Sequence, residues 1–280
     1  MAMEDPPSEV ESEADNPALA LQVAGGATVG ANLEAAIQRG AVTRHPDGRL
    51  QLAPAEHYVE PVGRGGGALH KRGATARGCD FLNAFLFKQV YDRQAVPLGC
   101  QNCYKVRAAT RTLRALIAMK ALADDTGQTT KTAAEVDNPA NTALYATHIY
   151  FNGLDGARET FAALKATVDA DPDLAANVTL SIKRGCTNYE RRLGPSDGYR
   201  FDPAQQAVEA HLRARFTRET PPKVTSGKAL TALRMMDLVR VAYRVGDETY
   251  KDFTDGKPLH EPLVDYAPRA AGPEMKDGEG

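Results

Sequence analysis

Cysteine is the residue type in this 280-residue chain whose placement could carry chemistry: Cys79, the pair Cys100 and Cys103, and the distant Cys186. Three of the four follow a glycine, in Gly78-Cys79, Gly99-Cys100 and Gly185-Cys186, and two of those steps extend to Arg-Gly-Cys with Arg77 and Arg184. A glycine before a ligand lets the backbone turn tightly and brings a peptide N–H near a thiolate, while a neighbouring arginine offsets the charge of clustered thiolates. The set reads as one metal site with Cys79, Cys100, Cys103 and Cys186 as its ligands. Four thiolates suit either tetrahedral zinc or an iron–sulfur cluster. A zinc ribbon uses two C-x-x-C knuckles where this chain has one, and the C-x₂-C-x₂-C run of bacterial ferredoxins and the C-x₃-C-x₂-C loop of radical S-adenosylmethionine enzymes are both absent. A dispersed set with one knuckle belongs to proteins in which a whole domain assembles the centre. An iron–sulfur cluster of the 4Fe–4S type is therefore expected, with zinc as the alternative. Such a cluster would serve redox or lyase-type chemistry, and the residues do not choose between them. A thioredoxin-like role fits less well, because that C-x-x-C opens a helix whereas this one precedes a strand pattern.

Other catalytic templates are thin. H-E-x-x-H and G-x-S-x-G do not occur, and the six histidines are scattered. The net charge of −2 hides acidic ends and a basic middle, which runs through Arg64, Lys71, Arg72 and Arg77 and again from Lys183 to Arg218. That asymmetry points to an anionic small molecule or a nucleic acid; the plainer alternative is a solvated surface. The Gly63–Arg77 stretch lacks both the phosphate-loop and the dinucleotide fingerprints and reads as a loop or lid. Behind Cys186, the turn from Gly194 to Tyr199 with Arg191, Arg192 and Ser196 is a candidate anion site, because turn N–H groups beside paired arginines suit phosphate or carboxylate.

The elements that must position these residues follow from periodicity. With 42% hydrophobic and 25% charged residues the chain has globular statistics. No apolar run approaches the roughly 20 residues of a membrane span. The acidic N-terminus is unlike a signal peptide, so a cytoplasmic protein without disulfides or a membrane partner is expected. Residues 1–20 and 268–280 read as disordered tails. Residues 21–78 form an appendage: a helix over Asn32–Arg39, a hairpin over Ala41–Leu52 and the Gly/Arg-rich loop. A helix from Asp80 puts Cys79 at its positive end.

Over 79–190 the pattern alternates. Cys103–Ala108, Thr129–Val136, Ala143–Phe151 and Val178–Lys183 read as strands, with helices over Thr110–Asp124 and after Gly153. The order is β-α-β-β-α-β, a ferredoxin-like α+β core. Residues 191–267 add helical cover, including Pro203–Phe216 and Gly227–Arg244, with a terminal hairpin over Val245–Phe253. In the usual ferredoxin-like sheet the first and last strands are antiparallel neighbours. Cys103 at the start of one and Cys186 just past the end of the other would then meet, with Cys100 beside them. Alternation also places Lys105, Arg107, His148, Tyr150, Thr179, Ser181 and Lys183 on one sheet face, opposite Val106, Ile149 and Leu180. That face suits an anionic ligand or a nucleic acid, and in the second case the cysteines would be a structural zinc site; alternatively the C-terminal helices cover it and pair its charges.

Overall fold

The computed structural model describes residues 12–56, 68–74, 78–136, 143–217 and 227–260. The expected turn over 137–141, most of the Gly63–Arg77 loop, Arg77 itself and the 268–280 tail lie outside these residues.

The described part of the N-terminus is packed, contrary to the expectation for residues 1–20. Ser12 and Asn16 cap two 3₁₀ turns, Glu13–Asp15 and Pro17–Leu19. Leu19 is fully buried, and the nearly buried Glu13 carboxylate pairs with Arg215 and Arg44. An acidic stretch is ordered here because its partners lie far along the chain. Thr28 caps helix α1, Val29–Gln38, by accepting from the Ala31 N–H at 3.1 Å. Strands β1, Val42–Arg44, and β2, Leu50–Leu52, form the expected antiparallel hairpin, with Val42 opposite Leu52. Strand β3, Leu69–Lys71, occupies part of the run that reads as loop.

The helix after Cys79 is a π-helix, Asp80–Val90, and nine of its residues are buried. Its wide turn runs out through Tyr91, whose N–H donates to the Leu86 carbonyl at 2.8 Å, and through Asp92 and Arg93, both with left-handed φ. Strand β4, Cys103–Thr110, runs two residues past the expected end, so Thr112 rather than Thr110 caps helix α2, Leu113–Asp125. Strands β5, Thr130–Ala134, and β6, Tyr145–Asn152, follow, then helix α3, Leu154–Ala170. The Asp171-Pro172 step is not a loop. Asp171 caps a short helix α4, Pro172–Asn177, through the Asp173 and Leu174 N–H groups, as proline at the first helical position favours.

Strand β7, Val178–Arg184, leads into helix α5, Thr187–Leu193. Helix α6, Gln205–Arg215, and the two-residue strand β8, Phe216–Thr217, come next; β8 pairs parallel to β2. Helix α7 spans Gly227–Arg244 as the periodicity predicts. The last described element is a 3₁₀ helix, Glu248–Phe253, in place of the expected hairpin, because the Asp247 carboxylate caps it and also reaches Leu113 and Tyr145.

The protein is thus a mixed α+β structure with, among the described residues, two sheets, β1-β2-β8 and β3-β5-β6-β4-β7, the second antiparallel throughout. The edge strand β3 and the helix α4 are elements that the sequence reading did not contain. Helices α2, α3 and α4 cover one face of the large sheet, where Val106, Ala108, Ile149 and Phe151 meet Met119, Ala157, Leu164 and Leu174. Helix α7 extends the same layer: Leu238 and Val241 pack with Leu69, Leu113, Leu116 and Tyr145. It does not lie over the opposite, polar face.

Candidate functional site

Three connections of the fold carry the cysteines, with Cys100 and Cys103 on one of them. Cys79 precedes the π-helix, Cys100 closes a 3₁₀ turn Leu98–Cys100, Cys103 opens β4, and Cys186 precedes α5. Strands β4 and β7 are antiparallel neighbours with Tyr104 opposite Arg184. The ladder continues one step further, where the Gly185 N–H donates to the Cys103 carbonyl at 2.8 Å. Gly185 turns the chain there at φ 67°, a left-handed conformation in which a side chain would be strained. Cys186 is delivered beside Cys103 as a result.

The Cys100 turn is fixed from α6. The Glu209 carboxylate accepts from the Leu98 N–H at 2.6 Å, the Gly99 N–H at 3.0 Å and the Tyr91 hydroxyl at 3.0 Å. Glycine at 99 lets the turn approach the Leu82 side chain closely, since a Cβ would come within 2.7 Å of its Cδ2. Arg184 braces the other side of the knuckle: its guanidinium donates twice to the Gln101 carbonyl, at 3.0 and 2.9 Å, and lies over the Phe201 ring. The arginine of this Arg-Gly-Cys run therefore holds the C-x-x-C loop by its backbone, beyond the charge offset read from the sequence.

Three of the thiols share one environment. Cys100 and Cys103 are buried and pack in one core cluster to which Cys186 adds. Burial pushes the Cys100 thiol well above the ordinary cysteine range, and the charges of Cys186, Cys103 and Cys79 push it further, while the hydrogen bond with Tyr189 works the other way. The Tyr189 hydroxyl lies 3.4 Å from the Cys100 Sγ. Around them stand Lys105, buried beside Cys186 and Cys103, and Asn83, whose buried amide makes no well-formed hydrogen bond. The coupling is electrostatic in range. Among the described residues, no group of three or more His, Cys, Asp or Glu side chains is arranged to grip a metal ion as it stands.

From Cys103 the polar face of the sheet runs away from the thiols. Lys105 lies between Tyr150 and Lys183, and Arg107 between His148 and Ser181. Burial draws Lys105 below the usual lysine range, and Lys183 adds to that while Cys186 and Cys103 oppose it. Burial likewise pulls His148 well below its ordinary value, assisted by Lys105, Lys131, Arg107 and Lys183. Thr179 is exposed on the same face.

Of the cations singled out from sequence, Lys105 is brought to the thiols, and Arg107 and His148 continue the same face. Arg191 and Arg192 are exposed in the last turn of α5, and Ser196 opens the next turn, so all three stand at the rim. Sequence reasoning missed Tyr189, Asn83 and Glu209. For the first two a signal existed: Tyr189 is three residues after Cys186 and Asn83 four after Cys79, positions that return to the same side of a helix. Glu209 had none. No family model, curated protein or solved structure matches this chain, so its function is argued from its own residues.

Proposed function

We propose that Cys79, Cys100, Cys103 and Cys186 hold an iron–sulfur cluster at the end of a ferredoxin-like core, and that an anionic small molecule binds beside it. The observation that carries this reading is the convergence of three thiols: the pairing of β4 with β7 sets Cys186 beside Cys103, and Cys100, in the same C-x-x-C loop, packs with both in one core cluster. Thiols gathered in that way disfavour their own ionisation unless a cation compensates them, and metal coordination deprotonates thiols outright.

The surrounding residues fit a cluster. A cluster spreads its thiolates over several irons, so its sulfurs stand farther apart than four sulfurs sharing one zinc through bonds of about 2.3 Å. The Tyr189 hydroxyl is within reach of Cys100, the Asn83 amide is buried without a well-formed hydrogen bond, and Lys105 brings a cation. These are the groups that tune such a centre. A bound cluster would supply one-electron redox capacity. The protein's own part is to exclude water, hold the thiolates and place the cationic face at their side.

The ferredoxin-like assignment is supported by the order β4-α2-β5-β6-α3-β7 along the chain and by the order β5-β6-β4-β7 within the sheet. Strand β3 then lengthens the edge and α4 is an insertion.

Anaerobic purification tests the reading. A broad visible absorption with matching iron and acid-labile sulfide is expected. About one zinc per chain without colour would replace the cluster by the structural ion, and protein free of both metals would sink the proposal.

A further inference from the structure

We infer that the polar face of the large sheet is a binding site for a compact polyanion of the phosphate class, seated over Lys131, His148 and Arg107 at the middle of the row His70, Lys131, His148, Arg107 and Ser181. The inference deepens the anionic-ligand part of the function proposed above and rests on it, but it does not require the metal. Those five residues form one row across every strand of the sheet. His70 is paired with Lys131, Lys131 with His148, His148 with Arg107 and Arg107 with Ser181. A second row, Tyr150, Lys105 and Lys183, lies between it and the cysteines.

The composition of the sheet is one-sided. The five strands contain lysine, arginine and histidine but no aspartate or glutamate. Like charges on adjacent strands, about 4.8 Å apart, repel one another. The neighbouring rows repeat about 7 Å along the strand direction, two residues on. At the edge of this face Lys183 donates to the Glu190 carboxylate at 2.8 Å.

His148 supplies an independent indication. It is only 8% exposed, and its Nδ1 is buried without a hydrogen-bond partner among the described residues. A buried polar atom in that state costs stability unless something fills the site. An anion accepting from a ring N–H would do so.

Charge spacing and enclosure select the ligand class. Cations on several strands match the oxygens of adjoining phosphoryl groups better than one carboxylate, which meets one or two of them. With Lys105 at 7% and His148 at 8% exposure, the face is no open platform on which splayed bases stack, as recognition of single-stranded RNA requires. Tyr150, half-buried and stacked on His148 with ring centroids 6.4 Å apart, offers a surface for one base. The triphosphate group is the shared chemistry, and its source is either a nucleotide or inorganic polyphosphate.

Calorimetric titration of the full chain, purified anaerobically, separates these outcomes. Inorganic tripolyphosphate and ATP should both bind, and adenosine should not. Binding should weaken as salt rises. Arg107→Gln and Lys131→Gln should each weaken tripolyphosphate by about tenfold, equivalent to about 1.4 kcal/mol. ATP binding more tightly than tripolyphosphate identifies a nucleotide site, and equal affinity identifies a polyphosphate site. Failure of both to bind, or unchanged affinity in both variants, overturns the inference. Nitrogen NMR of the His148 ring in the wild-type protein keeps the test decisive where a variant does not fold: Nδ1 should shift on addition of tripolyphosphate, and an unmoved resonance contradicts the site. Metal content measured on the same samples separates the two proposals. Binding by metal-free protein would remove the cluster and leave this site standing, whereas a metal-loaded protein that ignores both ligands would do the reverse.

Discussion

Replacing Glu209 tests how the protein holds its cysteine knuckle. The carboxylate receives three hydrogen bonds, from Leu98 N–H, Gly99 N–H and the Tyr91 hydroxyl, with Oε1 serving two of them. In Glu209→Ala the fully buried Tyr91 ring keeps its hydroxyl without an acceptor and the Leu98 N–H loses its partner, while water can reach the exposed Gly99 N–H. At about 1–3 kcal/mol for each of the two stranded groups, the loss is about 2–6 kcal/mol. Glu209→Gln preserves one oxygen for Leu98 and Tyr91 but turns an amide donor towards Gly99, so its cost is about 1 kcal/mol, mainly the charge contribution. Urea unfolding of metal-free protein in chelator gives the stability order, wild type above Glu209→Gln above Glu209→Ala. Iron per chain after anaerobic purification should fall in the same order, because the Cys100 turn loosens. Equal midpoints for the two variants, or a Glu209→Ala loss below about 0.5 kcal/mol, would refute the assigned role.

Three further outcomes follow from other contacts. Tyr189→Phe should remain folded, since the ring still packs on Phe87 at 4.5 Å, but a redox titration should show a lower potential once the hydrogen bond to Cys100 is lost; an unchanged potential contradicts that link. Asp247→Ala strips acceptors from Leu113, Tyr145 and Thr249 and should cost about 3–5 kcal/mol, with Asp247→Asn in between, as read by calorimetric melting. Burial alone would raise the Glu13 carboxyl, but Arg215 and then Arg44 hold it below its ordinary value of 4.5. A depressed folded value gives stability that is complete above the unfolded value and lost as pH falls through the folded one. The advantage of wild type over Glu13→Gln should therefore be full at neutral pH and shrink below about pH 4.5; a constant difference in urea midpoint between pH 7 and pH 3 would contradict the pairing.

The parts of the fold legible in sequence are those in which a local pattern has a single solution. Alternation in β4, β6 and β7 and the apolar stripe of α7 each placed an element within a few residues of its observed ends. Cys103 and Cys186 could be paired because two of those strands had identifiable ends. Elsewhere the deciding contacts are distant. Glu13 reads as one more acid in a tail until Arg215 meets it, and Leu69–Lys71 is too short to alternate visibly and becomes a strand by pairing with β5. The π-helix was read as an ordinary helix because Phe81, Leu82, Phe85, Leu86 and Val90 fit a 3.6-residue stripe. Its near-complete burial follows from packing on several sides, which the stripe does not record. Of the candidate site, the sequence indicated the thiols and the sheet cations. The groups that fix them, Glu209 above all, act as single residues from another helix and leave no spacing to read.

The central proposal is that four cysteines, from three connections of the fold, make one cluster-binding site. Native mass spectrometry of the anaerobically purified chain tests it most directly, by comparing the folded mass with the denatured mass. The account predicts an excess equal to one iron–sulfur cluster, absent when Cys79, Cys100, Cys103 or Cys186 is singly replaced by alanine. No excess in the wild-type protein, or a full excess retained in any one of those variants, would contradict it.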